Sequence, residues 1–256
     1  VTINGSNDDP TIGGAATGAV TEDGTTTISG DLTKADVDTN DTHTWEVSNN
    51  GQGEYGTFSV DGSGRWTYVL DNDNTLVQAL AEDQQVSDII TVTVSDGKGG
   101  SATQQVTVTI NGSNDDPTIG GAATGAVTED GTTTISGNLT KADVDTNDTH
   151  TWEVSNDGQG QYGTFSVDST GRWTYVLDND NTLVQALAED QQVSDIITVT
   201  VSDGKGGSAT QQVTVTINGS NDDPTIGGAA TGAVTEDGTT TISGDLTKAD
   251  VDTNDT

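Results

Sequence analysis

The chain has 256 residues with 41 acidic and 7 basic side chains, a formal net charge of −34, 29% hydrophobic residues and no cysteine. Scarce Lys and Arg exclude nucleic acid and anionic membrane surfaces as partners, and the absence of cysteine excludes disulfides. So small an apolar fraction does not by itself offset chain entropy, which leaves bound metal as the common remaining staple.

No apolar run approaches the roughly 18 residues of a membrane span, and no charged-then-apolar signal peptide opens the chain. Both ends fall inside a repeat, so terminal signals could lie outside this segment. The stretch "NGSNDDPTI" occurs at Asn4, Asn111 and Asn218, and the offset of 107 holds along the whole chain. Residues 1–9 read as the end of a preceding repeat with its linker. Residues 10–116 and 117–223 are two complete repeats, and 224–256 starts a third. The complete copies differ only at Asp31/Asn138, Asn50/Asp157, Glu54/Gln161, Gly62/Ser169 and Ser63/Thr170. A unit of this length is a domain, longer than the 20 to 50 residues of a solenoid repeat.

In chain order, each copy alternates with a period of two, the signature of strands. "TTTISGDL" turns Ile28 and Leu32 inward, "THTWEV" Trp45 and Val47, "TFSV" Phe58 and Val60, and "RWTYVL" Trp66, Tyr68 and Leu70. "NTLVQALAED" departs from alternation, with Leu76 and Leu80 four apart, and reads as one or two helical turns. "IITVTVS" and "QQVTVTI" close the copy with Ile90, Val92, Val94 and Val106, Val108, Ile110 inward. Gly, Asn and Asp fill the turns between them. About seven strands with a tryptophan on the third predict an all-β fold of tandem immunoglobulin-like sandwiches. Trp45 and Trp66, with Trp152 and Trp173, are expected in the cores, and Tyr55 is the one aromatic expected to be exposed.

Alternating strands sort the loops to two poles. The proximal pole receives Asn7, Asp8 and Asp9 of the linker, Asp36 and Asp38 of "KADVDTND", and Asp96 of "SDGKGG". The distal pole receives Glu22, Glu82, Asp83 and the next linker, Asn114, Asp115 and Asp116. Stacking one copy on the next is expected to add Asp143, Asp145 and Asp203 to that set. The following junction repeats it with Glu129, Glu189, Asp190, Asn221, Asp222, Asp223, Asp250 and Asp252. Adjacent carboxylates repel, and so many hard oxygen donors select calcium, several ions per repeat with some at the linkers. Zinc is disfavoured because no Cys is present and His43 or His150 has no second His nearby; magnesium retains its water. An EF-hand beginning at Asp36 fails, because Asp41 stands where glycine is required and Val47 where a bidentate glutamate is required. A merely solvated acidic surface is the plain alternative.

Two resemblances rest on these residues. Glu22, Glu82/Asp83, "SNDDP" and "DVD" resemble the calcium-binding junction of cadherins, although "NDDP" is one residue shorter than the cadherin linker. Over its whole length the unit, with "TINGSNDDPTI", "VTEDG", "ADVDTND", "GRWTYVLDN" and "VSDGKGGSATQQVTVTI", is similar to VCBS-type repeats, the immunoglobulin-like extenders of giant RTX adhesins of Gram-negative bacteria. The resemblance implies an extracellular, calcium-stiffened spacer on the cell surface, delivered by type I secretion and used in biofilm adhesion. Neighbouring repeats would be its partners, the membrane would not be touched, and the surface ligand would be bound elsewhere in the full protein. A carbohydrate- or protein-binding module using Tyr55 or Trp66 is the alternative. A catalytic triad around His43 and Asp41 lacks a nucleophile elbow and gives no reason for faithful duplication.

Overall fold

The computed structural model describes residues 1–253. It divides into two compact units, one holding residues 1–116 with 143–149 and 205–207, the other 117–142, 150–204 and Ser208 onward. The first unit is built from β1 (Thr11–Gly14), β2 (Thr17–Thr21), β3 (Thr27–Ala35), β4 (Thr44–Val47), β5 (Gly56–Val60), β6 (Arg65–Leu70), β7 (Gln85–Ser95) and β8 (Ser101–Asn111). One sheet has the order β1-β3-β6-β5 and the other β2-β8-β7-β4. The second unit repeats this with β9 (Thr118–Gly121), β10 (Thr124–Thr128), β11 (Thr134–Ala142), β12 (Thr151–Val154), β13 (Gly163–Val167), β14 (Arg172–Leu177), β15 (Gln192–Ser202) and β16 (Ser208–Asn218). The all-β, tandem immunoglobulin-like expectation holds.

The first strand is not one strand but two. β1 pairs antiparallel with β3, whereas β2 crosses to the other sheet and pairs parallel with β8. Gly14, at φ 96°, makes the break; left-handed backbone suits glycine, and a Cβ there would strike the Asp31 carbonyl. The break frees the Ala15 carbonyl to accept the indole N–H of Trp66 at 2.8 Å, and Ala122 does the same for Trp173 at 2.7 Å. Trp66 is fully buried and stacks on Phe58 with ring centroids 5.5 Å apart. Its ring lies over Gly30, where a Cβ would sit 2.7 Å from ring carbons. That close approach explains a glycine inside "TISGDL".

Two local expectations are corrected. Trp45 and Trp152 are only half-buried, packed against the core rather than in it, because β4 and β12 are edge strands and cover one side of the ring alone. Residues 74–80 form hydrogen-bonded turns and no helix. The Asn74 side chain accepts the Leu76 N–H at 2.9 Å, and Val77 and Leu80 donate to carbonyls three residues back. This spacing buries Val77 and Leu80 and leaves Leu76 53% exposed. A turn of 3-10 helix lies elsewhere in each unit, at Ser48–Gly51 with Asn49 and Asn50 both left-handed, and at Ser155–Gly158 with Asn156 and Asp157 likewise.

A short hairpin, β17 (Thr225–Gly228) with β18 (Leu246–Ala249), is the regular structure formed by the third copy among its described residues; 254–256 lie outside them. Val234 and Leu246 are more than half exposed, whereas their equivalents Val20 and Leu32 are buried. The copies of β6 and β8 that cover Val20 and Leu32 have no counterpart in this segment.

Candidate metal centres

Only three of the seventeen acids of residues 10–116 lie in strands, Asp31, Glu46 and Asp88. The others sit in loops and gather at the two poles of the sandwich.

At the proximal pole, oxygens of Asp36, Asp41 and Asp96 all lie within 4.8 Å of one another. Asp96 is fully buried. Its Oδ1 accepts the backbone N–H groups of Lys98 and Gly100 at 2.7 and 3.0 Å, and its Oδ2 accepts the Asn7 amide at 2.9 Å. Gly100 is obligatory, since a Cβ there would collide with Asp96 and fall 2.7 Å from an Asp9 oxygen. Asp36 accepts the Asp38 N–H at 2.9 Å and faces His43 Nε2 at 2.9 Å, while Asp38 accepts the Asp8 N–H at 2.8 Å. These donors hold Asp36 below the usual carboxylate range, the Asp38 N–H first and His43 second. The Asn7 amide and then the Lys98 N–H do the same for Asp96. Asn7, Asp8, Asp9, Asp36, Asp38 and Asp96 thus meet at one place, joined by Asp41, whose buried Oδ2 accepts no hydrogen bond.

At the distal pole of the same unit, Glu22 is 1% exposed. It accepts the Gln78 amide at 2.9 Å and the Ser113 N–H at 3.3 Å. The Asp115 N–H donates to Asp145 at 2.7 Å, and the Asp145 N–H donates to Asp143 at 3.1 Å. Thr146 anchors that loop on the Ala79 carbonyl through its hydroxyl at 2.9 Å. Burial, and after it Asp115 and Asp23, pushes the Glu22 carboxyl up to about 7. Burial and then Asp145 raise Asp115. Asp115 Oδ2 is buried without a hydrogen bond.

The second unit reproduces this site. Glu129 accepts Gln185 at 3.0 Å and the Ser220 N–H at 3.3 Å, and the Asp222 N–H donates to Asp252 at 2.8 Å. The Asp252 N–H donates to Asp250 at 3.2 Å. Glu129 is pushed up to about 7, mainly by burial, and Asp222 is raised by burial and then by Asp130. Asp222 Oδ2 and Asp252 Oδ1 are buried and accept no hydrogen bond. The donor set is all oxygen, crowded, partly desolvated and short of hydrogen-bond donors, the chemistry that a calcium ion completes. A bound ion would supply the positive charge that burial of these carboxylates otherwise lacks.

Of the remaining predicted residues, Asp203 is buried and the others are exposed or lie in linkers. Glu82, Asp83, Glu189 and Asp190 are exposed, with Asp83 and Asp190 at φ 69° and 70°. Asn114 and Asn221 donate to the Asp115 and Asp222 carbonyls at 3.1 and 2.9 Å. Asp116 and Asp223 are exposed beside their linkers, and Asp203 follows β15 in the second unit.

Sequence reasoning missed Gln78, Asp41 and above all Asp88. Asp88 is buried on the inward face of β7, accepting the Tyr68 hydroxyl at 2.6 Å and the Glu54 and Tyr55 N–H groups at 2.8 and 3.2 Å. The signal was present: Asp88 has the same parity as Ile90, Val92 and Val94. Tyr55 itself packs against the core, and burial raises its phenol, so it is not the free aromatic expected.

A family model described as bacterial cadherin-like domain matches residues 7–112 and again 114–219. Among solved structures, Drosophila N-cadherin EC1-4 is 19% identical, with 84% of this chain and 50% of that chain covered and a TM-score of 0.50. Protocadherin gamma B2 extracellular cadherin domains 3-6 are 14% identical, with coverage of 85% and 49% and a TM-score of 0.53. Mouse cadherin-23 EC22-24 is 18% identical, with coverage of 86% and 69% and a TM-score of 0.50. At these identities the likeness is one of fold, and this chain spans about half the length of the first two structures. No curated sequence relative matches the chain. The two family matches cover most of the sequence, and the chain belongs to the bacterial cadherin-like domain family.

Proposed function

We propose that the chain is a calcium-stiffened extender segment of a bacterial cell-surface adhesin, of the VCBS type carried by RTX adhesins of Gram-negative bacteria. The observation that carries this reading is the distal cluster. Glu22 gathers with Asp115 and Asp145, and Glu129 with Asp222 and Asp252, both glutamates are raised by burial, and Asp115, Asp222 and Asp252 each keep a buried oxygen that accepts no hydrogen bond. Asp115 and Asp222 belong to the linkers, so a cation held there fixes linker backbone as well as neutralising charge. Proline at 117 adds to this, since it restricts its own φ and biases Asp116 to extended geometry. Faithful repetition supplies length, whereas a recognition module needs only one copy. Outside the cell, millimolar calcium would load the sites. Inside, the uncompensated acids would keep the chain expanded for type I secretion. The extender works outside the cell, with neighbouring repeats as its contacts and the adhesive ligand bound by another region.

Hydrogen exchange of this chain in calcium and in EGTA tests the proposal. The extender reading expects calcium to protect the amides of Ser113 and Asp115, with no glycan-array signal from the same sample. Equal exchange in both conditions, or glycan binding by the repeats themselves, would reject it.

A further inference from the structure

Asn–Gly pairs occur at Asn4–Gly5, Asn50–Gly51, Asn111–Gly112 and Asn218–Gly219. Asparagine before glycine is prone to lose its side-chain amide, because no Cβ shields the glycine nitrogen and the backbone bends freely there. The fold treats these pairs differently. Asn111 donates its amide to the Val20 carbonyl at 2.9 Å and accepts the Gln85 amide at 2.8 Å, and the Gly112 N–H donates to the Gln84 carbonyl at 2.9 Å. Asn218 and Gly219 repeat those bonds with Val127, Gln192 and Gln191. Asn50 lies instead in the 3-10 turn of the first unit, exposed, with no hydrogen bond to its side chain among the described residues. The second unit already carries Asp157 there, at φ 50° and ψ 29° against 51° and 28° for Asn50.

We infer that Asn50 is a site of self-modification, converted without an enzyme to aspartate and isoaspartate while Asn111 and Asn218 are shielded by the fold. A lone 3-10 turn outside both sheets opens without unfolding the sandwich. The Gly51 nitrogen, its proton taken by hydroxide, then attacks Asn50 Cγ. The N–Cγ bond forms, the Cγ–Nδ2 bond breaks, and ammonia leaves with a proton from water. Water opens the resulting imide: attack at Cγ gives aspartate, and attack at the backbone carbonyl gives isoaspartate, with one methylene added to the main chain. Overall one water is consumed and one ammonia released. The two products fit differently. Aspartate is accommodated, as Asp157 shows. Isoaspartate displaces Gly51, which abuts β5 so closely that a Cβ would lie 1.9 Å from the Phe58 carbonyl. That displacement breaks the Gln52 N–H bond to the Asn49 carbonyl at 3.0 Å and the bridge from Gln52 to Thr57. The first unit thus carries a slow, one-way loosening beside β5, and the second has no amide to lose at this position.

Incubation of the full chain in calcium at pH 8 and 37 °C, followed by proteolysis and mass spectrometry at intervals, tests this. Asn50 is expected to convert at least about tenfold faster than Asn111 and Asn218, with exposed Asn4 as the internal reference. In guanidinium chloride all of these sites should convert at similar rates. Asn50→Asp should leave the melting temperature unchanged, and hydrogen exchange at Gln52 should speed up as isoaspartate accumulates. Asn50→Gln, which would need a six-membered ring, should stop the conversion there with circular dichroism unchanged. Conversion of Asn50 as slow as that of Asn111 in the folded chain would overturn the inference, as would the same difference between sites persisting in denaturant. Unchanged Gln52 exchange in the isoaspartate form would overturn the loosening.

Discussion

The two poles of one sandwich solve the same problem in opposite ways. At the proximal pole the carboxylates of Asp96 and Asp36 are wrapped in donors from Lys98, Gly100, Asn7, Asp38 and His43, and both are held below their ordinary range. At the distal pole burial raises both carboxyls, with Asp115 and Asp23 adding to it at Glu22 against the Ser113 N–H, and Asp145 and Asp23 adding to it at Asp115. Acidic residues of one kind, in loops of one fold, thus differ because donors outweigh desolvation at Asp96 and Asp36, and desolvation outweighs the Ser113 N–H at Glu22. The proximal pole is preorganised by the chain, while the distal pole leaves its charge uncompensated, which is where the proposed ion would act.

The largest effect should come from removing a preorganised carboxylate. Asp96→Ala leaves the buried Gly100 N–H, the part-buried Lys98 N–H and the Asn7 amide without that acceptor, at about 1–3 kcal/mol for a buried group. Chemical denaturation should show several kcal/mol lost both in calcium and in EGTA. At the distal pole the sign should depend on the metal. In EGTA at pH 8, Glu22→Gln should raise stability by up to about 3 kcal/mol, because a carboxyl pushed from about 4.5 to about 7 opposes folding when ionised. In calcium the same substitution should lower stability, since a ligand is lost. A variant that destabilises equally in both conditions would break the comparison.

The pH profile sharpens it. A carboxyl whose folded pKa is raised binds more protons in the folded state between the two values, so its contribution falls as pH rises. Glu22 and Glu129 therefore predict that stability in EGTA declines from about pH 4.5 to 7 and levels above. Asp36 and Asp96, depressed in the fold, contribute stability above the ordinary carboxylate range that is lost as pH falls below it. Calcium should flatten the upper limb and leave the acid limb. Thermal melts from pH 3 to 8 with and without calcium check both limbs.

Much of this was legible beforehand. Alternating strands carry Glu22 to the same end as Asp115, and Asp36 to the same end as Asp96, because loop position follows from strand parity alone. Period two could not reveal that the first strand changes sheets at Gly14, since the break depends on a carbonyl needed by Trp66 from 51 residues away. Nor could it identify Val77 rather than Leu76 as the core residue, because one Asn74 side-chain bond sets the phase of that turn. Asp88 was hidden by the assumption that an inward strand position is apolar, although its donors come from Tyr68 and the 54–55 backbone.

Smaller effects follow from the core and the surface. Gly30→Ala should cost about 1–3 kcal/mol by pushing a methyl into the Trp66 ring, with Gly137→Ala as its internal replicate. Asp31→Asn should change stability by less than about 0.5 kcal/mol, because its pair with Arg65 is exposed at 3.8 Å. The second copy already carries Asn138 at that position.

Calorimetric melting of the chain at pH 8 in millimolar calcium and in excess EGTA tests the central claim most directly, that calcium is the missing partner of these carboxylates. Ions at 100 times Kd add about 2.7 kcal/mol per site, and each kcal/mol moves the midpoint of a domain this size by several degrees. The account predicts a fall of at least about 10 °C on chelation, restored by calcium and not by magnesium; an unchanged melting temperature would contradict it.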